Sequence, residues 1–141
     1  MTEPPHAPVL RVDRYALYGE IAAGGMATVH FGRLTGTEGF AKSVAIKRLH
    51  PQFAKDAEFT AMLRDEGRIA ARIQHPNVVS TLDVVASDGE LFLVMEYVQG
   101  ESLSRLLRRA SAGGETIPLK IIAAIVCGAL HGLHAAHEAT G

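Results

Sequence analysis

The sequence predicts an α+β fold, because five strand-like segments with one inserted helix precede a wholly helical last third. The strand signals stop at Gly100, and two helix-like segments follow it. Apolar residues make up 48% of the chain, which supplies a buried core and excludes a disordered tail. A length of 141 residues fits one domain.

Charge and cysteine content exclude several classes of protein. The 14 basic and 15 acidic residues nearly cancel, so no electrostatic argument favours a nucleic-acid partner or a membrane surface. Cys127 is the single cysteine, which excludes an intrachain disulfide and suits a reducing compartment. The N-terminus lacks a secretory signal, and the longest apolar stretch, residues 121–130, is shorter than a membrane span. We therefore expect a cytoplasmic chain without a membrane segment.

The elements can be placed in order from periodicity and turn residues. Residues 1–13 hold three of the six prolines and are expected to form a flexible arm. Strands are expected on both sides of the Gly24-Gly25 pair, and the β-branched run then predicts another strand. The remaining boundaries follow from caps, prolines and glycines. The expected segments are strands within 15–34, strand 43–49, helix 56–73, strands 82–86 and 91–98, and helices 102–112 and 118–137.

Periodicity also predicts a contact between a lysine and a glutamate. In strand 43–49, Lys47 shares a face with Ala45 and Leu49. In helix 56–73, Glu66 lies in the middle of an apolar stripe that faces the sheet. A lone carboxylate there would be costly to desolvate, so Lys47 is its natural partner. The alternative is that Glu66 lies at the edge of the stripe and reaches water.

Five short motifs follow one another along the chain. They are Ile21-Ala22-Ala23-Gly24-Gly25-Met26-Ala27-Thr28-Val29, Val44-Ala45-Ile46-Lys47, His75-Pro76-Asn77-Val78-Val79, Val94-Met95-Glu96-Tyr97-Val98-Gln99-Gly100 and Leu133-His134-Ala135-Ala136-His137-Glu138. The glycine loop precedes the V-A-I-K strand, and the glutamate-bearing helix follows that strand. This order resembles the start of a protein kinase domain, in the variant found in eukaryotic-like serine/threonine kinases of bacteria. The resemblance implies an N-lobe and hinge at 14–98, with a five-stranded antiparallel sheet and the family's αC helix. The first helices of a C-lobe follow at 99–141.

The resemblance implies an ATP site. Lys47 would hold the phosphates, Glu66 would orient Lys47, and the glycines would let the loop backbone approach the nucleotide. The implied nucleotide-binding residues are Ile21, Ala22, Gly24, Gly25, Val29, Ala45, Lys47, Met95, Glu96 and Val98. Val29 and Ala45 would sandwich the adenine, Met95 would be the gatekeeper, and the backbones of Glu96 and Val98 would bind the adenine edge. The loop departs from the family pattern, because Ala22 and Ala27 replace its first and third glycines.

The Gly24-Gly25 pair is also compatible with two simpler structures. On its own the pair would fit an ordinary hairpin turn, since short glycine motifs are weak evidence. A dinucleotide-binding Rossmann unit fits poorly, because the pair joins two strands and the downstream residue is a lysine.

The sequence lacks the family's catalytic base and magnesium ligands. No H-R-D or D-F-G motif occurs, no aspartate follows Asp88, and Asn77 is the only asparagine. We therefore expect a truncated kinase: its full-length parent would transfer phosphate from Mg-ATP to serine or threonine of a protein substrate, and this chain alone would be inactive. A missing C-lobe or another protein would pack on the apolar helix 118–137. The alternative is a non-catalytic, pseudokinase-like module that binds a nucleotide or a partner.

Overall fold

A computed structural model describes residues 7–139 of the chain. Within them lies one antiparallel sheet of six strands in the order β1-β2-β3-β4-β6-β5. The strands are β1 Leu10–Val12, β2 Tyr15–Ala23, β3 Ala27–Thr35, β4 Ala41–Leu49, β5 Thr81–Ser87 and β6 Glu90–Glu96. The helices are α1 Pro51–Ala54, α2 Ala57–Ala70, α3 Leu103–Ala112 and α4 Leu119–Ala139, with a 3₁₀ turn at Thr37–Gly39. The α+β fold class is confirmed.

The expected count of five strands is wrong, because β1 adds a sixth at the sheet edge. Leu10 pairs with Leu17, and Val12 pairs with Tyr15. Val12 is only 3% exposed and belongs to the core. The proline signal that predicted a flexible arm ends at Pro8, and Leu10 and Val12 after it gain burial by pairing with β2. The expectation for residues 1–6 lies outside the described residues.

Two apolar clusters lie on opposite faces of the sheet. One cluster contains Val44 and Ile46 of β4, and the other contains Leu49 of the same strand. The alternation predicted for this strand is therefore confirmed. The first cluster is Val12, Tyr15, Leu17, Val44, Ile46, Phe92 and Val94. The second is Ala27, Leu49, Leu63, Leu91 and Leu93, where Leu63 comes from α2.

Helix α2 starts at a capped residue and lies directly on the sheet. The Asp56 side chain accepts hydrogen bonds from the backbone N–H groups of Glu58 and Phe59, an N-cap that contributes about 1 kcal/mol. Gly67 makes the closest approach to the sheet, because a Cβ there would lie 2.8 Å from Val84 Cγ2 and 2.9 Å from Leu93 Cδ1. The absence of a side chain at position 67 therefore sets the distance between helix and sheet.

Helix α4 packs on the loop that follows α2 through two small residues one turn apart. Asn77 Nδ2 donates a 3.0 Å hydrogen bond to the carbonyl oxygen of Gly128. A Cβ on Gly132 would lie 3.0 Å from Val78 Cγ2 and 3.1 Å from the Asn77 carbonyl oxygen. These contacts seat α4 against this loop, while Leu130 and Leu133 on the same helix stay about half exposed.

By length and composition alone, α4 could cross a membrane. It has 21 residues, and its most apolar window has a mean hydropathy of 1.6. This is weak evidence, because core helices of soluble proteins meet the same criterion. The expectations of no membrane segment and of a cytoplasmic location therefore stay predictions.

Candidate functional site

Lys47 and Glu66 meet as the sequence predicts. Lys47 Nζ donates to Glu66 Oε1 over 2.7 Å. The lysine is carried by β4, where its register partners are Val29 and Leu93, and the glutamate comes from the third turn of α2.

The pair is only partly buried, because the side chains of Lys47 and Glu66 are 28% and 48% exposed. Both alternatives from the sequence hold in part: Glu66 has its partner, and it also reaches water from the edge of the stripe. The reason is that Gly67, one residue further on, occupies the point of closest approach to the sheet.

The glycine loop between β2 and β3 closes without needing glycine for its backbone conformation. The Gly24 N–H donates to the Ala27 carbonyl oxygen over 2.8 Å. Neither Gly24 nor Gly25 has a left-handed φ. A Cβ on Gly25 would contact nothing within 4 Å, and one on Gly24 would make only a 3.6 Å contact. The pair thus lies in a hairpin turn between β2 and β3, and its missing side chains leave the space beside the loop open.

A cavity of about 380 Å³ lies between the glycine loop, β3, β4 and α2. Six of the predicted site residues line it: Ala22, Gly24, Gly25, Val29, Lys47 and Glu66. The lysine and glutamate supply its charges, and its other lining residues are apolar or small. These other residues, which the sequence-based site left out, are Ala23, Met26, Ala27, Leu49, Phe59, Met62 and Leu63. Three of them, Phe59, Met62 and Leu63, belong to the apolar stripe of α2, which was the sequence signal that could have identified them.

The other predicted site residues do not line this cavity. Ala45 and Met95 are register partners on β4 and β6, next to Lys47. Ile21 and Val98 are exposed at the end of β2 and after β6. Glu96 ends β6, where its N–H donates to the Ser80 carbonyl oxygen. The structure thus places these five residues in or beside the same sheet but outside the cavity.

Side-chain contacts that the sequence did not predict hold the segment after β6. The Glu96 Oε2 atom accepts a 3.2 Å hydrogen bond from the Ser80 N–H. The Phe31 and Tyr97 rings meet edge-on with centroids 5.1 Å apart, a geometry that adds about 0.5–1.5 kcal/mol to burial alone. The alternation of β3 could have found Phe31, because it places Phe31 on the face of Val29 and opposite Ala45.

The chemistry available at this site is the binding of an anion. A lysine ammonium held by one carboxylate faces a loop in which Gly24 and Gly25 carry no side chain. Asn77, the only asparagine in the sequence, is bonded to α4 instead. Among residues 7–139, no cluster of three histidine, cysteine, aspartate or glutamate side chains could hold a metal ion.

Family, sequence and structure comparisons all match this chain to protein kinases. The family model for the protein kinase domain matches residues 15–139. The chain is 37% identical over 141 residues to the tyrosine-protein kinase MasK of Myxococcus xanthus, and 34% identical over 129 residues to the serine/threonine-protein kinase drp72 of Corynebacterium efficiens. The solved kinase domain of Mycobacterium tuberculosis PknI superimposes with a TM-score of 0.70 at 27% identity, covering 94% of this chain.

The chain spans only part of these relatives. It corresponds to 22% of MasK and 24% of drp72. It covers 52% of the solved PknI kinase domain. The matched relatives include both tyrosine and serine/threonine kinases.

Proposed function

The chain belongs to the protein kinase domain family, and from this premise we propose that it forms the ATP-binding part of a protein kinase. The observation that carries the proposal is the 2.7 Å pair between Lys47 and Glu66, set beside an open glycine loop. A lysine whose ammonium group is oriented by a carboxylate is suited to contact phosphate oxygens, which are strong acceptors.

Each part of the nucleotide has residues of matching chemistry nearby. Lys47 holds the α- and β-phosphates, and Glu66 keeps the ammonium group turned toward them. Gly24 and Gly25 leave room for the phosphates beneath the loop backbone. The substitution of Ala22 for the family's first glycine adds one methyl group to the lining of the cavity.

The adenine ring binds on the sheet face that carries Lys47, nearer to the segment that follows β6. Val29 and Ala45 lie on one face of the neighbouring strands β3 and β4, so both pack on the same side of the ring instead of sandwiching it as expected from the sequence. Met95 closes the back of the pocket. The backbones of Glu96 and Val98 bind the adenine edge. The fixed position of Glu96, bonded twice to Ser80, supports this assignment.

We propose that the full-length parent protein transfers a phosphoryl group from Mg-ATP to serine or threonine hydroxyls of a protein substrate. The serine/threonine names of drp72 and of several further relatives favour this acceptor over the tyrosine named for MasK. The residues of this chain bind and orient the nucleotide. They include no H-R-D aspartate and no D-F-G aspartate, so the 141-residue chain by itself does not transfer phosphate.

The test is nucleotide binding, measured by calorimetry and by thermal unfolding. ATP at a hundred times its Kd should stabilise the folded protein by about 2.7 kcal/mol. Lys47→Met should weaken ATP binding at least about tenfold, because it removes a charge-assisted hydrogen bond. Lys42→Met is the matched control, since Lys42 is an exposed lysine on the same strand. Equal ATP binding by the Lys47→Met and control variants would overturn the proposal.

A second candidate is a non-catalytic module that binds a nucleotide or a partner protein. It is favoured by the lack of catalytic motifs in these 141 residues and by the half-exposed apolar side chains of α4. The two candidates differ in one measurement on the protein at its natural length. Phosphate transfer to a serine or threonine peptide that disappears in Lys47→Met identifies the kinase, whereas ATP binding without any transfer identifies the module.

A further inference from the structure

His50 is bonded to the glycine loop from two sides. It follows β4 directly, three residues beyond Lys47. Its backbone N–H donates to the Met26 carbonyl oxygen over 2.8 Å. Its side-chain Nε2 lies 3.0 Å from the Gly24 carbonyl oxygen. One residue therefore contacts both the start and the end of the Gly24–Met26 segment.

The two contacts act on different parts of the loop. The backbone bond extends the ladder between β3 and β4 by one step beyond the Ala27–Leu49 pair, and any residue at position 50 except proline can make it. The side-chain bond reaches across the loop to Gly24, and it depends on the imidazole. Because a carbonyl oxygen only accepts, Nε2 must carry the hydrogen. The side-chain contact is thus a specific property of His50.

A tether of this kind matters because the loop has little else to hold it. Gly24 and Gly25 restrict the backbone little, because glycine has more conformational freedom than any other residue type. The described hydrogen bonds of this pair with the rest of the chain are the Gly24–Ala27 bond and the His50 bond. Without the second bond the loop can move away from Lys47 while the strands stay paired.

We propose that His50 is a positioning residue that holds the glycine loop over Lys47, and thereby over the phosphates of a bound nucleotide. The inference rests on the proposed function for its ligand. It concerns the phosphate half of the site only, because the His50 contact lies at the loop and not at Ala45 or Met95.

The ligand test compares ATP with adenosine, using calorimetry on the protein at its natural length. His50→Ala should weaken ATP binding about threefold to tenfold, the effect of one neutral hydrogen bond, while adenosine binding stays within about twofold. His50→Gln should restore most of the ATP affinity, because its amide nitrogen can occupy the place of Nε2. Gln52→Ala, an exposed neighbour on α1, is the matched control and should change neither affinity.

Hydrogen–deuterium exchange without any nucleotide measures the tether itself. The Gly24 amide should exchange faster in His50→Ala than in the wild-type protein or in Gln52→Ala, while amides of β4 and β6 keep their rates. Unchanged exchange at Gly24, an unchanged ATP-to-adenosine ratio, or an equal loss of both ligands would each overturn the positioning role. If the wild-type protein bound neither ligand but Gly24 exchanged faster in the variant, the proposed function would fail and the tether would stand.

Discussion

Gly67 of α2 lies so close to Leu93 of β6 that a Cβ atom at position 67 would come within 2.9 Å of the Leu93 Cδ1 atom. Glu66 precedes this glycine and forms the 2.7 Å contact with Lys47. The closest point of helix packing and the ion pair of the site are therefore neighbours in the chain. Any change in the height of α2 above the sheet also changes the distance between the two charged groups.

Gly67→Ala is expected to lower both stability and nucleotide affinity. The added methyl group must displace Val84 and Leu93 or lift the helix, which costs about 1–3 kcal/mol, and the better helix propensity of alanine returns less than about 1 kcal/mol. Urea unfolding and ATP titration measure the two effects. Gly100→Ala is the control, because a Cβ at Gly100 contacts nothing within 4 Å. A Gly67→Ala protein with wild-type stability and ATP affinity would contradict the argument.

Tyr15 is expected to make folding stability fall at alkaline pH. Burial, followed by the hydrogen bond to Asp83, raises the pKa of Tyr15 above its ordinary value of 10.0. The unfolded chain then loses the phenolic proton first, so the stabilisation is complete below about pH 10 and is lost as pH rises through the folded-state pKa. Urea unfolding at a series of pH values on both sides of this pKa measures the slope.

Tyr15→Phe should make that alkaline slope shallower. It should also cost about 0.5–1.5 kcal/mol at neutral pH, because it removes the 2.9 Å bond from the Tyr15 hydroxyl to Asp83. Tyr18→Phe serves as the control, since Tyr18 is less buried and lies further along the same strand. If the free energy of unfolding depended on pH identically in Tyr15→Phe and the wild-type protein, the Tyr15 phenol would not be the group that titrates in this alkaline pH series.

Phe31→Leu is expected to weaken the binding of adenosine and of ATP by the same factor, so that the ratio of their affinities stays unchanged. Phe31 lies opposite Ala45 and contacts the Tyr97 ring, so it supports the adenine half of the site. Loss of one aromatic pair should raise the Kd for adenosine about twofold to tenfold. Calorimetry with adenosine and ATP gives the ratio, and Phe40→Leu, at an exposed phenylalanine, is the control. A loss confined to ATP would be inconsistent with this role.

The 141-residue chain by itself is expected to self-associate through α4. Val126, Leu130 and Leu133 are about half exposed on this helix, and contiguous apolar surface of this kind favours association. Sedimentation velocity should show species larger than a monomer, and replacing these three residues by glutamine should shift the distribution toward monomer. A monodisperse wild-type monomer that unfolds cooperatively would refute the expectation.

Local pattern was enough to predict much of the fold and the centre of the site. The alternation in β4 placed Lys47 on the face opposite Val44 and Ile46, and the helical period of α2 placed Glu66 toward that face. The residues between the predicted strands 82–86 and 91–98 include Asp88-Gly89, a pair typical of two-residue hairpins, and both residues adopt the positive φ that such a hairpin needs. These features depend on neighbours a few residues away, so their sequence signals are strong.

Contacts between distant parts of the chain decided the rest. The sequence by itself determined the fold class and the order of most elements. It named Lys47 as the natural partner of Glu66, and it left open whether Glu66 reached water instead. Only the tertiary structure showed that residues 10–12 pair with β2, that Gly67 rather than Glu66 makes the closest approach of α2 to the sheet, and that His50 reaches Gly24. The physical reason is that periodicity sets the face on which a side chain lies. How deeply that side chain is buried, and which distant atom it meets, depends on how closely the packed elements approach one another.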